Sequence, residues 1–251
     1  YHSFIFTKPE NQFLFEGLGY KNIFTTDKVS LLESGNKNIN STLDKLKKEY
    51  NIDDSKEYAA LVMNCNPFTL GHRYIVETAS KENENVIIFV VEEDKSVFPF
   101  KTRYRLIKEG TKDLKNVTVI PAGEYVISSA TFPNYFLKKN DDALKEYTKL
   151  DCNVFGKYFV PKFNIKRRYV GTEPHCEVTN TYNESMIEIL PKYNVEVKLI
   201  ERKEIEDDAI SASRVRKLLK EGKMEKVRNL LPKPSFDFLL SKEGEMVINE
   251  L

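Results

Sequence analysis

Long apolar runs are absent from this sequence. The longest, around Val86–Val91, is far below the roughly 20 residues that a membrane-spanning helix needs. The first residues also lack the apolar stretch and cleavage site of a secretory signal. Tyr1 stands in place of an initiator Met, so we expect a trimmed or processed chain. These features predict a protein that has no membrane partner.

Cysteine is scarce. Cys65, Cys152 and Cys176 are odd in number and widely spaced, and they form neither a Cys-x-x-Cys pair nor a zinc-binding pattern. This usage favours a reducing, cytoplasmic setting over a disulfide framework.

An excess of either charge is also missing. The chain has 39 Lys and Arg against 38 Asp and Glu, a formal net charge of +1. This balance gives no reason to expect a nucleic acid or an anionic membrane as a partner, although it leaves room for a local basic pocket. Internal repeats and low-complexity segments are likewise absent.

What is present is an alternation of strands and helices from Tyr58 onwards. The predicted strands are Tyr58–Met63, Asn85–Val91, Val117–Ile120, Ile165–Val170 and Val195–Ile200. A helical tail follows from Ser211. Apolar strands separated by helices are typical of an α/β, doubly wound, Rossmann-like fold with a five-stranded parallel sheet. Such sheets bind ligands at the carboxyl ends of their strands, where the strand order reverses.

The segment before Tyr58 is different in character. Ser3–Thr7 predicts a strand, Pro9–Gly17 a short helix and Val29–Glu33 a second strand. This β-α-β stretch is too small for a core of its own. Residues 36–57 are polar and contain one short helix that Ser41 could cap, so we interpret them as a linker.

The first predicted strand is followed by a turn and a helix start that predict a phosphate site. The residues concerned are Asn66, Pro67, Phe68, Thr69, Gly71 and His72. Helix starts carry unpaired N–H groups and the positive end of the helix dipole, which attract phosphate. Gly71 permits close approach, Thr69 adds a hydroxyl donor, and an N–H of His72 can stabilise charge developing on phosphorus. The alternative is a polar turn with a surface histidine.

The fifth predicted strand is followed by a second helix start. Ser211 or Ser213 can cap this helix, and either hydroxyl can also hold phosphate oxygens together with the exposed N–H groups. Arg216, one turn further on, is a charged donor. The alternative is an ordinary capped helix with basic surface residues.

Together these two segments resemble the signatures of the HxGH nucleotidyltransferase superfamily. Thr69 stands where many members have the first histidine, a variation that several adenylyltransferases of the superfamily share. The resemblance to the citrate lyase ligases is more specific. The segments that carry it are Asn64–Tyr74, Phe98–Phe100, Glu124–Phe136, Val170–Pro174 and Ile210–Arg216.

The resemblance implies a fold, an activity and partners. Members use ATP and acetate to acetylate the thiol of the CoA-like prosthetic group on the acyl-carrier subunit of citrate lyase, and they release AMP and pyrophosphate. They also carry an N-terminal acetyltransferase-like (GNAT) domain. Phe13–Tyr20 resembles the closing helix and turn of such a domain, whose glycine-rich pyrophosphate loop is missing here. We therefore predict a remnant of that domain at 1–35, a linker at 36–57 and a nucleotidyltransferase-type catalytic domain at 58–251.

These observations lead to a mechanistic hypothesis. Acetate attacks the α-phosphorus of ATP in line and pyrophosphate leaves, so catalysis consists mostly of positioning and charge stabilisation. His72 and Thr69 contact the α-phosphate, while Ser211, Ser213 and Arg216 hold the β- and γ-phosphates. Mg²⁺ is carried by the phosphates, because no carboxylate cluster has ligand spacing.

Further candidates lie outside the two helix starts. By resemblance, Gly171, Thr172 and Glu173 approach the adenine or ribose; the alternative is a strand-end turn. Arg103 meets phosphate or acetate, or is an arginine on a solvated helix face.

The central segment Glu124–Phe136 lacks the sequence features of a phosphate-binding loop. Ser128, Thr131 and Phe132 within it are candidates for the pocket of acetate or the acceptor thiol. A purely structural aromatic loop is the alternative.

Two other functions share the phosphate motifs. One is an adenylyltransferase that joins AMP to a phosphorylated metabolite such as phosphopantetheine. The other is a nucleotide-binding module without chemistry.

Overall fold

The structure is a computed structural model that describes residues 1–92, 96–126, 140–172, 177–205 and 208–251. The chain divides into two compact units. Unit 1 comprises residues 1–57, 123–168 and 173–197, and unit 2 comprises residues 58–122, 169–172 and 198–251. No helix in the described residues combines the length and the apolar character that crossing a membrane requires.

The first 57 residues, all in unit 1, form three strands and two helices. In order they are β1 (His2–Thr7), α1 (Gln12–Glu16), β2 (Lys21–Thr25), β3 (Ser30–Gly35) and α2 (Ile39–Glu49). The strands pair antiparallel with β3 in the centre. Strand β2 was not predicted, because Ile23 is its only fully buried residue and the alternation of apolar and polar residues is therefore weak.

The predicted start of α2 was wrong by three residues. Asn38, not Ser41, is the capping residue: its side chain accepts from the Ser41 backbone N–H at 3.0 Å. The Ser41 hydroxyl lies 3.0 Å from the Asn38 N–H and accepts from it. Ser41 is thus the inner member of a reciprocal capping box.

Within unit 1, β1 is tied to the segment that follows residue 122. The two ring nitrogens of His2 lie 3.1 Å from carboxylate oxygens of Glu33 and Glu124. The Tyr125 hydroxyl donates to Glu33 at 2.5 Å. The assignment of residues 1–35 to an acetyltransferase-like remnant remains a prediction.

The next part of the chain alternates strands and helices as predicted. Its elements are β4 (Tyr58–Met63), α3 (Leu70–Glu82), β5 (Val86–Val90), α4 (Phe100–Gly110) and β6 (Val117–Pro121). All five residues of β5 are buried, which explains its continuous apolar sequence.

The second half begins with α5 (Asn140–Val154), which continues through a π-helical turn (Phe155–Phe159) into α6 (Val160–Lys162). It goes on with β7 (Ile165–Gly171), α7 (Glu177–Ile189) and β8 (Glu196–Ile200). The short strands β9 (Glu204–Ile205) and β10 (Asp208–Ala209) pair antiparallel and were not predicted. Four helices follow: α8 (Ala212–Lys220), α9 (Met224–Arg228), α10 (Lys233–Leu239) and α11 (Lys242–Asn249).

The predicted five-stranded doubly wound sheet is confirmed, with strand order β6-β5-β4-β7-β8. The strands β4, β5 and β6 run parallel in consecutive order. The chain then returns to the other side of β4 with β7, so the order reverses between β4 and β7. The carboxyl ends of these two strands are where a sheet of this kind binds its ligand.

The core of unit 2 joins this sheet to the C-terminal helices. Buried apolar residues of β4 and β5 pack with Phe68, Leu106 and Ile107, and with Val215, Leu219 and Phe238 of the tail. The predicted helical tail is therefore part of the core.

Candidate nucleotide site

The site begins with a tightly held turn after β4. Cys65 has a positive φ of 53° and is buried, as is Phe68. The Asn66–Pro67 peptide bond is cis. The Asn66 side-chain oxygen accepts from the backbone N–H of Phe98 at 3.0 Å. The Asn66 side chain thus ties the turn before α3 to the segment before α4.

Thr69 and His72 form a reciprocal capping box at the start of α3. The Thr69 hydroxyl accepts from the His72 backbone N–H at 3.3 Å, and Nδ1 of His72 accepts from the Thr69 backbone N–H at 3.1 Å. Because Nδ1 is an acceptor here, the hydrogen of the neutral imidazole lies on Nε2. His72 therefore has a defined tautomer, with its donor on the ring edge away from the cap.

The environment of His72 favours the neutral ring. Burial, together with the nearby positive charge of Arg202, lowers the pKa of His72 to about 4. The ring also stacks on Phe68, with centroids 6.0 Å apart. At neutral pH His72 is thus an uncharged hydrogen-bond donor.

This charge state predicts a specific pH dependence of stability. The pKa of His72 in the folded chain, about 4, lies below the usual histidine value of about 6.5. The unfolded chain therefore binds the proton first as the pH falls. We expect the free energy of unfolding to drop by about 2–3 kcal/mol between pH 6.5 and 4 from this residue. Urea titrations of the wild type and of His72→Asn measure this loss; if both decline equally with pH, the assignment is wrong.

The start of α8 is capped by Ser211, one of the two serines that the sequence offered for this role. The Ser211 hydroxyl accepts from the Arg214 backbone N–H at 3.1 Å. Ser213 is exposed, and its hydroxyl lies 3.4 Å from Nη2 of Arg216. Nη1 of Arg216 donates to the backbone oxygen of Asn66 at 2.5 Å. Arg216 therefore joins the second motif to the turn of the first.

The two helix starts touch at Gly71. A methyl group at Gly71 would lie 2.5 Å from the backbone oxygen and 3.4 Å from Cβ of Ile210. Only a residue without a side chain allows this approach. The structure thus brings the amino ends of α3 and α8 to one place, where both helix dipoles favour an anion.

Gly71→Ala is expected to force these helix starts apart. The obstacle is backbone, which cannot swing aside, so we expect a loss of about 1–3 kcal/mol in the free energy of unfolding. Because the N–H groups of these helix starts are the predicted phosphate donors, their displacement should reduce nucleotide-dependent turnover by about 10²-fold. Gly17→Ala is the control, because the nearest atom there is 3.4 Å away. Equal behaviour of both variants in urea unfolding would contradict the close approach.

The end of β7 also lies against α3. A methyl group at Gly171 would lie 2.9 Å from Cδ1 of Ile75, one turn after His72 on α3. The Thr172 backbone N–H donates to the backbone oxygen of Ile200 at 2.9 Å, and the Thr172 carbonyl accepts from Nε of Arg202 at 2.7 Å. Arg202 was not predicted as a site residue, because it lies two residues after the end of β8 and belongs to neither motif. Glu173 lies outside the described residues.

Arg103 lies inside unit 2. Its side chain is fully buried, so the alternative of a solvated helix face was wrong. Its Nη1 donates to the backbone oxygens of Asn64 at 2.7 Å and Val91 at 2.8 Å, and its Nε to that of Phe98 at 2.9 Å. Arg103 therefore holds together the carboxyl ends of β4 and β5. A contact of Arg103 with substrate remains a prediction.

Three substrate-pocket candidates, Ser128, Thr131 and Phe132, lie outside the described residues. Within the described part of the chain, no group of three or more His, Cys, Asp and Glu side chains could hold a metal ion. The donors gathered at the two helix starts are N–H, hydroxyl and guanidinium groups, which suit phosphate.

Most of the chain matches one family model and proteins with assigned names. Residues 58–239 match the family model described as the C-terminal domain of citrate lyase ligase. The [citrate [pro-3S]-lyase] ligase of Escherichia coli is 36% identical over 244 residues, which are 95% of this chain and 69% of the relative. That of Haemophilus influenzae is 37% identical over 250 residues, which are 95% and 72% of the two chains.

Similar solved structures are more distant. A putative nicotinate-nucleotide adenylyltransferase from Vibrio parahaemolyticus is 17% identical, with a TM-score of 0.45, over 78% of this chain and 97% of that chain. A likeness this distant does not identify the family of the chain. The match to the family model and the identity with the two ligases show that the chain belongs to the citrate lyase ligase family.

Proposed function

We propose that this chain is an acid-thiol ligase that activates acetate with ATP and acetylates the prosthetic-group thiol of citrate lyase. Membership in the citrate lyase ligase family supports this activity. The structural observation that carries it is the meeting of two helix starts at Gly71, with Arg216 bonded across to the turn after β4. This arrangement fits a triphosphate.

The first step joins acetate to AMP. A carboxylate oxygen of acetate attacks the α-phosphorus, a new P–O bond forms, and the bond to pyrophosphate breaks with its electrons going to the leaving oxygen. His72, neutral and protonated on Nε2, donates to the α-phosphate oxygen on which charge grows. Thr69 fixes the ring through the capping box.

The leaving pyrophosphate needs positive partners. The exposed N–H groups of α8, the Ser211 and Ser213 hydroxyls and the Arg216 guanidinium are suited to the β- and γ-phosphates. Backbone N–H groups of the turn Asn66–Phe68 add donors. Gly171 and Thr172, at the strand end beyond the reversal of strand order, are proposed neighbours of the nucleoside.

Mg²⁺ is proposed to accompany the nucleotide. The described donors of the site are cationic or N–H groups without a carboxylate cluster, so phosphate oxygens and water would supply its ligands. When bound, it neutralises charge on the triphosphate.

The second step transfers the acetyl group. The thiolate of the citrate lyase acyl carrier attacks the carbonyl carbon of acetyl-AMP, the thioester forms, and AMP leaves with the electrons of the broken C–O bond. AMP is a far better leaving group than the oxide that free acetate would have to expel.

Isotope exchange tests the first step. We expect labelled pyrophosphate to enter ATP only when acetate is present. Exchange that ignores acetate but requires a phosphorylated acceptor would favour the adenylyltransferase, which the family match does not favour. ATP binding without any exchange would favour a module without chemistry.

A further inference from the structure

Arg202 brings a positive charge to the nucleotide site from outside both sequence motifs. It follows β8, and its Nε holds the Thr172 carbonyl at 2.7 Å. The residue before Thr172, Gly171, is packed against Ile75 of α3. Since Ile75 is one turn after His72, these contacts bring Arg202 to the side of α3 that faces the end of β7.

Several other arginines lie on the elements that build the two helix starts. Arg73 pairs with Glu77 and Asp113, Arg214 donates to the Ile205 carbonyl, and Arg216 donates to the Asn66 carbonyl. The charge of Arg202 acts on His72 and lowers the pKa of the ring in the same direction as burial, which is the larger cause. Like charges at close range disfavour a second cation.

We propose that Arg202 is a positioning residue of the nucleotide site, which fixes the end of β7 and sets a permanent positive charge beside His72. The inference rests on the proposed function, which it deepens. A guanidinium stays charged at all physiological pH values. It therefore adds to burial in keeping the imidazole neutral, and it adds to the positive field that attracts the triphosphate.

The test compares two neutral variants of the full chain, Arg202→Gln and Arg202→Met, with the control Arg228→Gln. Arg228 is exposed on α9 of the same unit, so the control removes an equal charge elsewhere. NMR of the His72 ring nitrogens follows its protonation with pH. We expect the His72 midpoint to move to higher pH in both Arg202 variants and to stay in place in the control.

Kinetics supply a second readout. We expect the fall in the rate of acetate-dependent exchange at acid pH to begin at a higher pH in the two neutral Arg202 variants. We also expect KM for ATP to rise about tenfold, the equivalent of one charge-assisted hydrogen bond. Arg202→Lys keeps the positive charge, so its exchange rate should fall at the same acid pH as that of the wild type.

An unchanged His72 midpoint in a folded Arg202→Gln or Arg202→Met variant would overturn the proposal. So would an equal shift in Arg228→Gln, because net charge would then explain it. The NMR measurement needs no turnover. A wild type without exchange would therefore refute the proposed function, while the His72 midpoint would still decide the role of Arg202.

Discussion

His72→Asn is expected to reduce acetate-dependent pyrophosphate exchange by about 10²–10³-fold, the usual effect of removing one donor to a developing negative charge. The reason lies in the geometry of the capping box. The side-chain oxygen of asparagine can take the place of Nδ1 and accept from the Thr69 N–H, a bond that spans 3.1 Å in the wild type. Asparagine has no atom at the place of Nε2, so the cap survives while the donor is lost.

This variant separates two roles that alanine would remove together. Exchange rates at saturating ATP, calorimetric ATP binding and urea unfolding at pH 7.5 measure them. We expect the free energy of unfolding to change by less than about 1 kcal/mol and ATP binding to change by only a few-fold. His72→Gln, which reaches further than asparagine, should recover part of the rate. A wild-type rate in His72→Asn would mean that His72 is only a helix cap.

Arg103→Met is expected to cause the largest loss of stability, about 3–5 kcal/mol in the free energy of unfolding. Methionine fits the apolar surroundings, yet it leaves the backbone oxygens of Asn64, Val91 and Phe98 without the donors that they now have at 2.7–2.9 Å. Unsatisfied buried carbonyls cost about 1–3 kcal/mol each.

The matched control is Arg105→Met, two residues further along α4. Arg105 is half exposed and pairs with Glu243 at 3.1 Å. A surface ion pair of this kind contributes at most about 1 kcal/mol. Urea unfolding followed by circular dichroism compares the two variants. If Arg103→Met loses no more than Arg105→Met, the carboxyl ends of β4 and β5 do not depend on Arg103.

Arg103 and Arg202 have contacts that their local sequence does not reveal. The sequence suggested substrate contact or a solvated face for Arg103, and the structure buries it among carbonyl oxygens. Arg202 drew no attention, and the structure sets it beside His72. Lysine and arginine in a helix or at a strand end carry no local mark of what they face, because their partners lie on other strands.

The sequence by itself determined most of the strands and helices and the chemistry of two helix starts, while the short strands β2, β9 and β10 were not predicted. Hydrophobic patterning located all five strands of the parallel sheet. It was clearest for β4 and β5, since a strand buried on both faces must be apolar throughout. The residues Thr69, Gly71, His72 and Ser211 were placed correctly at two helix starts, because capping and glycine preferences are local properties of the chain.

The tertiary structure alone decided which of these ends meet. The approach of Gly71 to Ile210 and the bond from Arg216 to Asn66 join residues 139 and 150 positions apart. They depend on a strand order that reverses between β4 and β7. Local patterns do not encode such an order, because it results from the packing of whole elements in the core. The charge state of His72 follows for the same reason: its capping partner is three residues away, but the burial and the guanidinium that keep the ring neutral come from distant parts of the chain.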